Sequence, residues 1–426
     1  MSGLLLLLFL VLLVALDVPI AVALAILALA AFWATQGFDS LVTSAVTLFS
    51  ASTNFPLLAI PLFVLAGTIM NTAGITRRLV ALASALVGFV RGGLAMVNVA
   101  ASLFFAEISG SAVADVAALG SVLMPAMQRR GYPKEFTAAV TSSSASLAII
   151  IPPSIPMILY AVMADASIVQ LFVAGIVPGL LGGGLMMGLC ALYARRHGFP
   201  VEQAFDLCRL WTATREAGWA LLLPLIILGG IFTGTVTATE AAGLAVVAAL
   251  LVGALYGELS ARAILRGARD GVVQTAVVML LIATSALLGE YLTEARIPQM
   301  LTAAITGLTR EPWAVLALLN LLFLVLGCFL HGAAAIILVV PIVMPIVRAV
   351  GIDPVHFGLV VTLNIAIGQQ TPPVASVLMT ACSIAKADIW AVTRWNLPFI
   401  GVLLLVLLLV TYLPVIPLAL VELFYR

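Results

Sequence analysis

Glu107-Ile-Ser-Gly-Ser-Ala-Val-Ala-Asp115 and Ile149-Ile-Ile-Pro-Pro-Ser154 decide how this chain must be read. Both are small, polar or proline-broken segments set inside long apolar sequence. A backbone amide or carbonyl left unpaired in lipid costs several kcal/mol. Such breaks therefore have to be buried in protein or line a cavity that holds something.

The sequence around them sets the solvent. Of 426 residues, 64% are hydrophobic and 9% charged, against roughly 25% charged in soluble domains. Apolar runs of membrane length recur from end to end, which predicts an all-α polytopic membrane protein rather than a β-barrel with its short alternating strands. The net charge of +1 gives no electrostatic footprint for nucleic acid, so no such partner is expected. Cys190, Cys208, Cys328 and Cys382 are scattered without CxxC spacing and read as small apolar residues. No GxxxxGK[ST] motif occurs, so no use of ATP is expected. Leu4 to Leu16 has neither a basic leader nor a small-residue cleavage site and reads as a retained first helix.

Hydropathy places helices near 3–16, 18–36 and 55–72, with interfacial stretches at 40–52 and 76–90. Residues 92–130 are interrupted at Ser109-Gly110-Ser111, and 133–164 at Ile151-Pro152-Pro153. The first is either two spans or a re-entrant hairpin with Ser-Gly-Ser at its tip. A helix at 168–195 leads into a polar loop at 196–214. Spans follow at 216–235, 240–257 and 271–291, with an amphipathic piece at 259–270 and an arm at 292–308. A second hairpin candidate, 312–350, breaks between Gly327 and Gly332; the next segment, 354–385, breaks at Gly368-Gln-Gln-Thr-Pro-Pro373. A last helix covers 396–420.

The halves repeat. At one constant offset Met124-Pro125 matches Met344-Pro345, Gly131 matches Gly351, Pro152-Pro153 matches Pro372-Pro373 and Pro178 matches Pro398. Residues 1–214 and 215–426 thus read as two repeats, and paired breaks in two halves are the sequence pointer to a secondary transporter with a mid-membrane site. Charge suggests that the repeats are inverted. The helix count leaves Arg296, Arg310, Arg348 and Arg426 on one side and every other Lys and Arg on the other, which the positive-inside rule makes cytoplasmic. Both chain ends then lie outside.

A broken helix supplies carbonyls that can coordinate a hard cation and amides that favour an anion. The proline pairs have no N–H and release the carbonyls that would have paired with them. With Ser109, Ser111 and Thr371 as oxygen donors, each break can form a cation site with its facing hairpin tip. Asp115, one turn past the first tip, is placed to orient it. Glu107 is a proton-relay candidate, though a satisfied buried carboxyl is the plainer reading. His331 reads as a polar tip residue. An intramembrane serine hydrolase is disfavoured, because Ser109-Gly110-Ser111 lacks the glycine that a nucleophile turn needs and His197 and His356 fall in loops. A passive channel is disfavoured by the doubled halves.

Several motifs in fixed order resemble the large membrane subunit of tripartite ATP-independent periplasmic transporters. They are Leu57-Leu-Ala-Ile-Pro-Leu-Phe63, Ile108-Ser-Gly-Ser-Ala-Val-Ala-Asp115, Gly131-Tyr132, Ile150-Ile-Pro-Pro-Ser154, Ala174-Gly-Ile-Val-Pro-Gly179, Thr239-Glu-Ala-Ala242, Gly351-Ile-Asp-Pro354 and Gly368-Gln-Gln-Thr-Pro-Pro-Val374. The resemblance implies an elevator-type, sodium-coupled importer of organic acids in the bacterial inner membrane, with a small membrane subunit and a periplasmic binding protein as partners and no cofactor. It implies one sodium site among Ser109, Gly110, Ser111, Ile150 and Pro152, and a second among Gly327, Gly332, Gly368, Thr371 and Pro372. The organic anion is expected against Ser111, Pro153, Ser154, His331, Thr371 and Pro373. A stand-alone divalent-anion:cation symporter without a binding protein is the alternative. Two positions depart from the family, which usually carries an acidic residue where His331 stands and Gly where Ala375 follows the proline pair.

Overall fold

The computed structural model describes residues 18–37, 40–201 and 204–425, with 9, 12, 13 and 16 ahead of them. The helix expected at 3–16 falls mostly outside the described residues. The described chain is helical, and its elements follow the same order in each half: outer helices, a short arm, a helix pair with a tight tip, two short helices around a break, and a long helix, followed in the second half by Val415–Tyr425. Among the described residues, eight helices are long and apolar enough to cross a membrane.

Lipid is as apolar as leucine, so burial of large side chains does not by itself drive helices together; close approach through small residues does. Ala238–Leu255 follows that rule. Its inward face is Ala238, Ala241, Ala242, Ala245 and Ala249, and its outward face Leu244, Val247, Leu251 and Leu255. The alanine face packs on Phe55–Thr72. Together with Ile20–Gln36, Ser40–Ser52 and Ala261–Glu294 they form an outer frame. The arms Ile75–Val87 and Ile297–Leu308 join that frame to the centre, one against Gly93–Ser109 and the other against Gly332–Ala349.

The centre holds the helices that lead into the breaks. Every residue of 136–145 and of 355–368 is buried. The short helix after each break crosses to the opposite half. Ile155–Ala164 packs on Gly332–Ala349, and Ser376–Ala385 on Ala112–Arg129 and Lys134–Ala145. Matching asparagines tie each hairpin to its neighbour. Asn98 donates to Thr141 at 2.6 Å and accepts from Ser144 at 3.3 Å; Asn320 accepts from Asn364 at 2.7 Å and donates to Thr411 at 3.1 Å.

Three boundaries differ from the expectation. The pieces at 259–270 and 271–291 and the start of the 292–308 arm form one helix, Ala261–Glu294, because no proline interrupts it and Gly267 and Gly271 fit against Thr68 and Val64. The polar loop is shorter than 196–214: Ile168–His197 runs on to His197, and Asp206 accepts from the Cys208 amide at 2.9 Å and caps Leu207–Phe232. The last helix is two, Ile389–Tyr412 and Val415–Tyr425, parted at Pro414, which cannot continue a helix.

Candidate functional site

Gly93–Ser109 and Ala112–Arg129 are arms of 17 and 18 residues, each about 26 Å long. Gly110, at φ 59°, ends the first arm in the left-handed conformation. Ser111 is extended and its Oγ accepts from the Ala114 amide at 3.5 Å, starting the second. Asp115 is fully buried in that first turn, where the helix dipole favours a carboxylate. The side chains of Glu107, Ile108 and Ser109 lie outside the described residues.

Lys134–Ala145 tightens through a turn at Ser146–Ile149 and stops at Ile150. A cis Pro152-Pro153 bond follows. Ser154 restarts the chain: its hydroxyl donates to the Ile149 carbonyl at 2.6 Å and accepts from the Met157 amide. Tip and break touch through backbone. The Ile155 amide donates to the Gly110 carbonyl at 3.2 Å, and a Cβ on Gly110 would stand 2.7 Å from the Pro153 carbonyl oxygen. The Ile150 carbonyl lies against Gly175 of Ile168–His197. The Pro153 carbonyl is the one that a Gly110 Cβ would meet.

The second centre uses the same contact. The Val374 amide donates to the Cys328 carbonyl at 3.2 Å, across from a cis Pro372-Pro373 bond. Gly327 and Gly368 meet backbone to backbone: a Cβ on Gly368 would stand 2.5 Å from the Gly327 Cα. Gly327 lies inside Pro312–Phe329, so the turn itself is Leu330 and His331, narrower than the expected 327–332. His331 is exposed at the start of Gly332–Ala349, and Gly332 faces the Gln369 amide. Thr371 donates to the Ile367 carbonyl at 2.9 Å. Asn364 Oδ1 and Ser376 Oγ, on either side of this break, are buried oxygens without a hydrogen-bond partner. His356 is not in a loop: Asp353 caps its helix, and the buried ring meets the Val410 carbonyl at 2.7 Å.

Gln370 was not among the expected site residues, yet it joins the two centres. Its Nε2 donates to the Ser142 carbonyl at 2.7 Å and to Ser146 Oγ at 2.5 Å, and its Oε1 accepts from Asn396 Nδ2 at 3.0 Å. Asn396 also accepts from Ser143. These groups are fully buried. The signal was present as four hydroxyls in a row, Thr141-Ser-Ser-Ser144, inside an apolar segment, and as Gln370 within a motif already singled out.

The centres therefore offer backbone carbonyls, hydroxyls and amide oxygens. Among the described residues no group of three or more His, Cys, Asp or Glu could hold a metal ion. Neutral oxygen donors suit a hard cation and give a soft transition metal nothing it prefers. Eight apolar spans among the described residues, together with paired breaks, define a multi-pass membrane protein with the layout of a secondary transporter. The model of the family described as Tripartite ATP-independent periplasmic transporter, DctM component, matches residues 6–416, and the chain belongs to that family. It is 39% identical over 383 residues to the C4-dicarboxylate TRAP transporter large permease protein DctM of Pseudomonas aeruginosa, covering 90% of each chain. It is 41% identical over 371 residues to the isethionate TRAP transporter permease protein DctMQ of Oleidesulfovibrio alaskensis; the match covers 87% of this chain but 58% of that longer protein. The fold is shared with the crystal structure of the Alcanivorax borkumensis YdaH transporter, at a TM-score of 0.65, 16% identity and 88% coverage of both chains.

Proposed function

We propose that this chain is the transport subunit of a sodium-coupled importer of organic anions in the bacterial inner membrane. The observation that carries this reading is the doubled contact of tip on break: Gly110 with Ile155, and Cys328 with Val374. Each contact leaves proline-released carbonyls beside hydroxyls and helix amides, a setting for a cation and a carboxylate or sulfonate side by side. The first sodium site is drawn from Ser109, Gly110, Ser111 and the Pro152-Pro153 carbonyls. The second is drawn from the Gly327 and Gly368 backbones and Thr371, with the unpartnered oxygens of Asn364 and Ser376 as added donors. The anion lies between Ser111, Pro153 and Ser154 on one side and His331, Thr371 and Pro373 on the other. Residues 1–214 and 215–426 act as inverted repeats, both ends are periplasmic, and the centre moves against the outer frame as an elevator.

The partners are a small membrane subunit and a periplasmic binding protein. The longer relative whose name joins DctM with Q supports the first. Reconstitution tests the whole reading. The purified chain alone in proteoliposomes should show little uptake under a sodium gradient, and adding the small subunit and the binding protein should restore it. Full uptake by the chain alone would make it a stand-alone symporter. Uptake that follows protons with no sodium dependence would remove the cation assignment and turn attention to Glu107 and Asp115.

A further inference from the structure

A cleft of 790 Å³ opens outside both centres, where the start of Leu207–Phe232 passes the arm Ile75–Val87. Its charged wall is Arg77, Arg78 and Arg215, and its aromatic wall is Trp211, Trp219 and Tyr256. Glu258 takes both Arg77, at 2.7 Å, and Arg78, at 2.9 Å, and Arg78 lies 3.7 Å over the Tyr256 ring. Two arginines thus share one carboxylate. Arg215 has no carboxylate within ion-pair distance among the described residues, although Glu216 lies in the same wall. Three arginines against Glu216 and Glu258 leave a positive surplus.

Trp211, Arg215 and Trp219 stand four residues apart, on one face of their helix. The face continues through Leu222 and Ile226, both exposed, as are the two indoles. Arginine and tryptophan where a polar start gives way to an apolar span mark a membrane–water interface. A small soluble anion would use the arginines but not the apolar stripe leading from them. We propose that this cleft binds the phosphate headgroup of an anionic phospholipid, with an acyl chain lying along Trp219, Leu222 and Ile226. The site anchors the outer frame, through Leu207–Phe232 and Ile75–Val87, to one leaflet while the centre moves.

Native mass spectrometry of the purified full chain tests this, with phosphatidylglycerol, phosphatidylcholine and inorganic phosphate as probes. One phosphatidylglycerol should stay bound at collision energies that strip phosphatidylcholine. Arg215→Gln should weaken its retention about fivefold, the effect of ~1 kcal/mol for one basic residue at an anionic surface. Trp219→Ala should also weaken it. Arg209→Gln, on the same helix start but outside the cleft, should leave it unchanged. The proposal fails if phosphatidylcholine is held equally well, or if inorganic phosphate alone competes at equal concentration, which would make the cleft a site for a free anion. It fails too if the small membrane subunit expels the lipid on binding, which would make the cleft a protein interface.

Discussion

The two breaks share a plan but differ in enclosure. Around the first, Ile150 to Ser154 are all buried, and Ser154 bonds both to the turn before it and to the helix after it. Around the second, Thr371 and Pro372 are half-buried, Pro373 and Val374 are exposed, and His331 at the facing tip is exposed as well. No side chain caps Ser376–Ala385, and the residue before it, Ala375, is held at φ 39°. The first break is tied down within its own half, by Ser154 and by the bond from Ile155 to Gly110. The second leans on the other half of the molecule, through Gln370 to Ser142 and Ser146. In the proposed cycle, the open break is where an anion meets the site, and the closed break is the firm floor beneath it.

The largest effect that would break this comparison is expected at the first tip. Gly110 carries two constraints at once: a left-handed φ, and a Cβ direction aimed at the Pro153 oxygen. Gly131 is also left-handed, at φ 86°, but a Cβ there meets open space. The left-handed conformation alone costs an L-residue roughly 1–2 kcal/mol, and crowding a packed site adds about 1–3 kcal/mol. Gly131→Ala should therefore fold and transport, whereas Gly110→Ala should lose most uptake and raise the sodium concentration for half-maximal rate. Equal behaviour of the two variants in uptake assays would mean that the tip does not press on the break.

A middle-sized effect sharpens the account of the second break. Gln370→Leu roughly keeps the volume but leaves Asn396 Nδ2 without its partner in a buried setting, at about 1–3 kcal/mol, and removes the donor to Ser142 and Ser146. Thr371→Val removes only a hydroxyl that donates to its own helix at Ile367. Thermal unfolding should drop for Gln370→Leu and hold nearly constant for Thr371→Val. Sodium dependence should shift in both, because one moves the break and the other removes a donor. A Thr371→Val protein with unchanged sodium dependence would take Thr371 out of the second site.

Much of this plan was legible in the sequence, because glycine, proline and hydroxyl residues stand out against apolar helices. Ser109-Gly110-Ser111 and both proline pairs fall where the chain breaks. What was not legible depends on partners far along the chain. Nothing near Gln370 announces Ser142, and nothing near Ile155 announces Gly332–Ala349. Hydropathy also misjudged Ala261–Glu294, since its arginine-bearing start looks interfacial when read alone, and missed the Pro414 break because both sides of it are apolar. The Ile150 carbonyl, which the family resemblance puts in the first sodium site, lies against side-chain-free Gly175 of Ile168–His197, a neighbour that nothing near Ile150 announces.

The smallest effect concerns Ala375, the residue before Ser376–Ala385. Its φ of 39° is left-handed, a conformation that glycine takes without the Cβ penalty of roughly 1–2 kcal/mol. Ala375→Gly should relieve that strain. It also removes a buried methyl, about 0.8 kcal/mol, and frees the unfolded chain by about 0.4–1 kcal/mol. The gain and the two losses nearly cancel, so thermal unfolding should move by no more than a few degrees in either direction. The substitution still loosens the start of Ser376–Ala385, which no side chain caps. Amide hydrogen exchange across 371–380 should therefore quicken while exchange across 149–158 stays slow. Faster exchange at both breaks would show that they open together, and the contrast between a closed and an open break would fall.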